Sequence, residues 1–362
     1  MTTDTLRNPN PMPLPKHVPK DDVARNAEPT PTESRDKARP AAANRMRLGG
    51  ALVLLAGVTA LFVALGLWWS QQPAKFDVAG NARDMVGSEP ESGVTTTATA
   101  IRVAETLLGK PGGYLHNDVL PPGVLMDNMP SWEYGVLTEL RDSVRSLRND
   151  FSRSQTQSLE NQDLQQADAE LNFDAKAWFL PSSEEGYRQG IEALRHYLEN
   201  LQSRSDPGAR FFSRADNLSA YLAVVEKRLG SYGQRLAASV GDAELTLALT
   251  GVGGDAPQAS ARTDWGEVDD IFFEARGYSW ALLHMMKALS VDFADVLRDK
   301  NAEVSMQQVI RDLEYATRRK WSPIVVNGHG FGVLANHSLV LASYIARTNA
   351  AVLDLRALLQ RG

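Results

Sequence analysis

The chain has 362 residues, no cysteine and a formal net charge of −6, which excludes a disulfide framework, a thiolate nucleophile and any cysteine-ligated zinc or iron–sulfur site. The charge is unevenly placed: residues 1–47 carry nine basic against six acidic side chains, residues 48–69 are neutral, and residues 70–362 therefore carry −9. So acidic a body argues against a nucleic-acid partner, which would favour a basic face.

Residues 1–47 hold eight of the 18 prolines and no aromatic residue. Such a segment buries too little apolar surface to offset the entropy of ordering, so a disordered tail is expected. Residues 48–69 follow, LGGALVLLAGVTALFVALGLWW, with no charge and Thr59 as the one polar side chain. As a helix they span roughly 33 Å, enough for a hydrocarbon core of about 30 Å. A cleaved secretory signal has a shorter apolar core and a short basic lead. Here 47 residues precede the stretch, and Trp68 and Trp69 end it as an aromatic interface anchor with no small-x-small cleavage site after them. The expectation is one uncleaved transmembrane helix in a lipid bilayer. Arg35, Lys37, Arg39, Arg45 and Arg47 flank it on one side, against Lys75 and Arg83 on the other. Basic flanks stay in the cytoplasm, so the tail is expected inside and the body outside, in the periplasm of a Gram-negative cell with the helix in its inner membrane. Within the helix Ala56, Ala60 and Ala64 recur every four residues, a small-residue seam that would permit self-association.

Residues 70–92 read as a linker and 93–362 as the folded body, long enough for one large core or two small ones and without an internal repeat. From near Ser92, Ile101, Ala104, Leu107 and Leu108 share one helical face until Gly109, Pro111, Gly112 and Gly113 stop it. Ser131 reads as the N-cap of a helix with Val136, Leu140, Val144, Leu147 and Phe151 at spacings of three and four. Pro181-Ser182-Ser183-Glu184-Glu185 resembles a capping box ahead of Tyr187, Ile191, Leu194, Leu198 and Leu201. Asp206-Pro207-Gly208 ends that element, and 213–237 repeats the pattern with Leu218, Tyr221, Leu222, Val225, Leu229 and Leu236, which suggests an antiparallel helical hairpin.

Residues 241–263 alternate like a strand around Leu245, Leu247 and Leu249 but are bounded by glycines, and read as a loop. Asp264 with Glu267 opens a helix that carries Val268, Ile271, Phe272, Ala275, Leu282, Met285, Met286 and Leu289 and reaches Asp295 or beyond. Ser305 with Gln308 opens another, and 334–359 form the last, with Leu341, Ile345, Thr348, Val352 and Leu355. So many one-sided stripes pack as an all-α helical bundle, with Ile324-Val325-Val326 as a possible minor strand.

No complete catalytic motif accompanies this pattern. Glu91-Ser92-Gly93 is the triplet that opens the motif of lytic transglycosylases, but the downstream Gly-Leu-Met-Gln-type segment is missing and a turn before a helix explains it. Gly277-Tyr278-Ser279-Trp280-Ala281 approximates a nucleophile elbow, yet it falls within a helical pattern with no preceding strand and reads as a small-residue contact between helices. Ser34-Arg35-Asp36-Lys37 spells a Ser-x-x-Lys motif inside the tail, where no pocket is expected. None of the six histidines has the spacing of a zinc helix, and no Glu-x-x-His occurs. His329 and His337 share a glycine-rich segment with Asn336, so a two-histidine site completed elsewhere is one reading and a loop with a helix-starting Asn-His-Ser the other. That segment lacks the dinucleotide fingerprint and its strand. Glu267, Asp270 and Glu274 lie on one helical face, either as oxygen ligands for a cation or as a solvated acidic face. No cofactor and no metal is implied.

Several stretches together resemble the bacterial family known as domain of unknown function 2333. They are Gly112-Gly113-Tyr114-Leu115 through Asp118 to Gly123, Met129-Pro130-Ser131-Trp132-Glu133, Arg148 to Gln155 and Phe173 to Pro181. The later ones are Phe273-Glu274-Ala275-Arg276-Gly277, Val291 to Leu297 and Ala335-Asn336-His337-Ser338. The resemblance implies a single-pass protein of the bacterial envelope and brings no activity or catalytic residues. The expected function is a binding or scaffolding module that engages other envelope proteins, with possible homo-oligomers and no enzymatic activity. A peptidoglycan hydrolase and a small-molecule or cation sensor are the alternatives.

Overall fold

The computed structural model describes residues 39–154, 159–238, 267–318, 325 and 336–361. Among them every regular element is helical and there is no strand. By its contacts the chain forms two compact units, Met1–Val58 and Thr59–Gly362. Helix α1 (Arg39–Trp69) crosses that boundary. Its segment Arg47–Trp69 is long and apolar enough to cross a membrane, and none of its most apolar window is buried by the rest of the chain.

The stretch read as a linker contains a helix. Residues Val78–Val86 form α2, ended by Gly87 in the left-handed region (φ 64°), with Val78 and Ala82 buried. Two buried positions in nine residues leave too short a period to detect in the sequence. Helix α3 (Val94–Gly109) begins where the sequence placed it, directly after Glu91-Ser92-Gly93.

Helix α4 (Asn128–Ser146) starts earlier than expected, because Asp127 and not Ser131 occupies the N-cap. Ser131 instead donates to Asp270 Oδ1 at 2.8 Å. The last turn of α4 widens into a π-helical turn at Leu147–Phe151. The next element, α5 (Gln162–Leu171), went unseen in the sequence, since its apolar face amounts to Leu164, Ala167 and Leu171. Helix α6 (Ser183–Ser203) has the expected cap, the Ser182 hydroxyl accepting from the Glu185 amide. Helix α7 covers Ala215–Ala238.

The expected hairpin of α6 with α7 does not form. Helix α6 packs on α5 and α3, while α7 packs on the C-terminal helix. The connection is the reason: Tyr197 donates to the Arg210 carbonyl and the Phe212 amide to the Phe151 carbonyl, which draws the chain across the π turn. There Phe211 packs on Phe151 and Phe293.

Helix α8 (Val268–Asp292) stops short of the expected end, and after Phe293 a separate short helix α9 (Ala294–Asp299) follows. Helix α10 (Glu303–Ala316) opens at Ala302 rather than at Ser305, and α11 (His337–Gln360) closes the body. Helix α8 is the centre, against α4, α3, α10, α7 and α2. Its closest neighbour is α4, where each helix sets a glycine against the other's backbone. A Cβ on Gly277 would lie 1.9 Å from the Trp132 carbonyl oxygen, and one on Gly135 would lie 2.0 Å from that of Glu274. Gly277-Tyr278-Ser279 is therefore a small-residue contact between helices, as its pattern implied. Residues 241–263, Ile324 and Val326 lie outside the described residues.

Candidate functional site

Two residues of the acidic face, Asp270 and Glu274, are engaged within the protein. Glu274 receives both terminal nitrogens of Arg235, at 3.0 and 2.6 Å, and the Tyr232 hydroxyl at 3.1 Å. Asp270 accepts from Ser131, and Glu267 stands exposed before the first turn. Among the described residues no three His, Asp or Glu side chains group to hold a metal ion. Asn336 caps α11 by accepting from the Leu339 amide at 2.8 Å. His337, the first residue of α11, meets the Phe272 ring edge-on. His329 lies outside the described residues. Ala56, Ala60 and Ala64 are all exposed along α1.

What the structure does bring together is a collar around the residues that follow α1. The Phe76 amide donates to His284 Nε2 at 3.2 Å, and its ring stacks on the imidazole at 4.1 Å. His284 Nδ1 donates to the Trp280 carbonyl at 2.7 Å, which fixes the neutral tautomer; burial pulls this histidine down to about 4. The buried Arg276 guanidinium, lowered to about 10 by desolvation, donates to the carbonyls of Ala316 and Arg318 and to the Gln72 side chain. Lys75 donates to the Glu314 carbonyl at 3.3 Å. Burial lowers its ammonium pKa, against the pull of Glu314, and the neighbouring cations Lys287, Arg276 and Arg318 lower it further. Trp69 packs on the core, with Gly112 (φ 87°) against its ring, where a Cβ would come within 2.8 Å. Residues 69–76 are thus built into the body and do not behave as a tether.

Two buried carboxylates, Glu133 and Glu139, and the half-buried Asp292 brace the bundle. Glu133 pairs with buried Lys110 and accepts from the amides of Leu115 and His116 at 3.0 and 2.8 Å. Burial pushes it up to about 7, which Lys110 opposes. Glu139 accepts from Tyr221 and, at 2.8 Å, from Ser143; burial pushes it up to about 8. Its Oε2 has no hydrogen-bond partner among the described residues. Asp292, pushed up to about 6 by burial, accepts from the amide and hydroxyl of Thr96 at 2.7 and 2.6 Å. Since Gly93 has no side chain to cap α3, Asp292 supplies that acceptor from another helix. The sequence did carry a signal for two of these groups. Trp132, Val136, Glu139 and Ser143 recur at helical spacing, as do Glu133, Val136 and Leu140, so both glutamates stand on faces that otherwise read as core.

Glu91 lies elsewhere. It lines a cleft of about 430 Å³ with Arg204, Asp206, Arg210 and Phe211, and forms an ion pair with exposed Arg204. Two carboxylates in one cleft is the minimum for glycoside hydrolysis. Asp206 Oδ1, however, already accepts from the Gly208 amide at 2.8 Å in its own turn.

The description that emerges is a helical bundle preceded by one helix apolar and long enough to span a membrane. Residues 42–362 match the family described as an uncharacterised protein conserved in bacteria, domain of unknown function 2333, and the chain belongs to that family. No curated protein and no solved structure matches the chain.

Proposed function

We propose that this protein is a single-pass inner-membrane protein whose N-terminal tail is cytoplasmic and whose helical body is a periplasmic binding or scaffolding module of the bacterial envelope. The observation that carries this reading is the collar. The body is coupled through Trp69, Gln72, Lys75 and Phe76 to the end of α1, and such coupling to a membrane anchor would suit presentation of a surface to a neighbour. Glu133, Glu139 and Asp292 support it, because each is engaged in bracing the bundle rather than gathered in a cleft. The basic flank of α1 supports the orientation. Activity of a cytoplasm-only reporter fused after Gly362 would overturn the topology. In-cell crosslinking with mass spectrometry tests the scaffold: reproducible recovery with particular envelope proteins is expected, and recovery only as an isolated species counts against it. Replacing Ala60 with Leu is expected to weaken self-association in a membrane two-hybrid assay, and an unchanged signal would remove the seam from the proposal.

The second reading, a peptidoglycan hydrolase, rests on Glu91 and Asp206 sharing one cleft. Release of glycan fragments by the purified chain, lost on Glu91→Gln, would replace the scaffold reading.

A further inference from the structure

Two neighbouring loops of the body expose large apolar side chains to an extent that isolated surface residues do not explain. Leu120 and Leu125 are 73% and 76% exposed on one loop, and Trp178, Phe179 and Leu180 are 60%, 68% and 84% exposed on the other. Val119 and Val124 add to the first. Val291, Val304 and Leu353, by contrast, are exposed singly on three separate helices, which is ordinary for a protein surface.

These loops are braced in the conformation that turns the apolar groups outward. The Asn117 amide nitrogen donates to the Ala177 carbonyl at 2.8 Å and to Glu184 Oε2 at 2.9 Å, joining one loop to the other. The Tyr114 hydroxyl donates to the Ala175 carbonyl at 3.1 Å. Glu133 holds the amides of Leu115 and His116, and the Ser183 hydroxyl donates to the carbonyls of Asp174 and Ala177. Collapse of the side chains into the core is therefore blocked by the hydrogen bonds at the loop roots.

The first loop also begins at the end of α1. Gly112 lies against the Trp69 ring, and Leu120 is eight residues further on, a reach of at most about 28 Å. The second loop reads Lys176-Ala177-Trp178-Phe179-Leu180, a cation beside an indole and two fully apolar groups. That combination suits a membrane–water interface, where tryptophan sits at headgroup level and a lysine stem extends toward water.

We propose that the loops around Leu120 and Leu125 and around Trp178 to Leu180 form a lipid-facing surface that inserts into the interfacial layer of the bilayer crossed by α1. This rests on the reading of α1 as a membrane anchor. Anchoring confines the body to the bilayer surface, so even weak insertion of a few side chains is favoured by the high local concentration of lipid. The surface then fixes how the body is tilted on the membrane and which of its faces remain free for a partner.

Because the chain has no cysteine, single-cysteine variants report each position cleanly. Full-length protein carrying Val58→Cys, Leu125→Cys, Phe179→Cys or Val304→Cys is labelled with an environment-sensitive fluorophore. Each is reconstituted in vesicles of phosphatidylethanolamine and phosphatidylglycerol with a lipid-borne quencher. Labels at 58, 125 and 179 are expected to lose most of their emission, and the label at 304 to keep it. If 58 is quenched while 125 and 179 behave like 304, the anchor stands and the lipid-facing surface is overturned, leaving the loops for a protein partner. If 58 is not quenched, the anchor reading fails and the proposal with it. Equal quenching at 304 also overturns it, since contact would then not depend on these loops.

Discussion

Helices α1 and α8 are both long and rich in apolar residues, and they resolve that apolarity in opposite ways. Seventeen of the 25 residues of α8 are buried, so nearly every face of it is covered by protein. Between Arg47 and Trp69, the most apolar window of α1 has none of its residues buried by the chain. The helix enclosed by protein carries polar groups because protein supplies their partners. Arg276 reaches two carbonyls and Gln72, Ser279 donates to the Ala275 carbonyl, and His284 bridges Trp280 and Phe76. Residues 48–69 have Thr59 alone, as expected of a helix whose surroundings cannot satisfy a polar side chain. The contrast teaches that a helix covered by protein can carry charged and polar side chains where the chain supplies their partners, whereas the apolar segment of α1, which the chain leaves uncovered, carries no charge.

Glycine substitutions press this contrast hardest. Gly277→Ala drives a Cβ into the Trp132 carbonyl and is expected to destabilise the body by about 3 kcal/mol or more, read as a lower urea midpoint of the full chain in detergent. Gly57→Ala on α1, with no atom within 4 Å of the added carbon, should leave that midpoint unchanged; a comparable loss at 57 would break the contrast. A charge probes the other direction. Ala60→Arg near the middle of α1 should oppose membrane insertion by about 3 kcal/mol, seen as protein that no longer resists carbonate extraction. Unchanged carbonate resistance would remove position 60 from the middle of the hydrocarbon core.

Arg276→Met removes a charge from α8 but strands the carbonyls of Ala316 and Arg318. A loss of about 2 kcal/mol is expected, together with faster amide exchange over residues 70–77; unchanged exchange there would separate Arg276 from the collar. A pH slope is expected from Glu139, which belongs to α4. Its carboxyl is raised by burial from 4.5 to about 8. The folded state therefore holds this proton more tightly than the unfolded chain. Its contribution is fully present below about pH 4.5 and is lost as pH rises through about 8. Glu139→Gln should flatten stability across that window, and an unaltered slope would assign it to other groups.

Much of the bundle was legible because strong periodicity is local. Tyr187, Leu194 and Leu201 on α6, and Leu218, Val225 and Leu236 on α7, are buried as their spacing implied. Short α2 and α5 escaped because two or three core positions do not define a period. The acidic residues Glu267, Asp270 and Glu274 shared a helical face in the sequence, but Arg235, which occupies Glu274, is 39 residues away from it and no local pattern points to it. The same holds for the collar, where Phe76 and His284 are 208 residues apart.

By itself the sequence determined the composition of each segment: an apolar helix of membrane length, a basic tail, an acidic body and the helical stripes within it. Those properties depend on neighbours one turn away and on transfer from water, which act the same in any fold. Only the tertiary structure decided which helices pair and which carboxylates are buried. It also decided that residues 69–76 are part of the body and that two braced loops leave leucine, tryptophan and phenylalanine uncovered. Those outcomes depend on long-range packing and on polar groups finding partners across the chain.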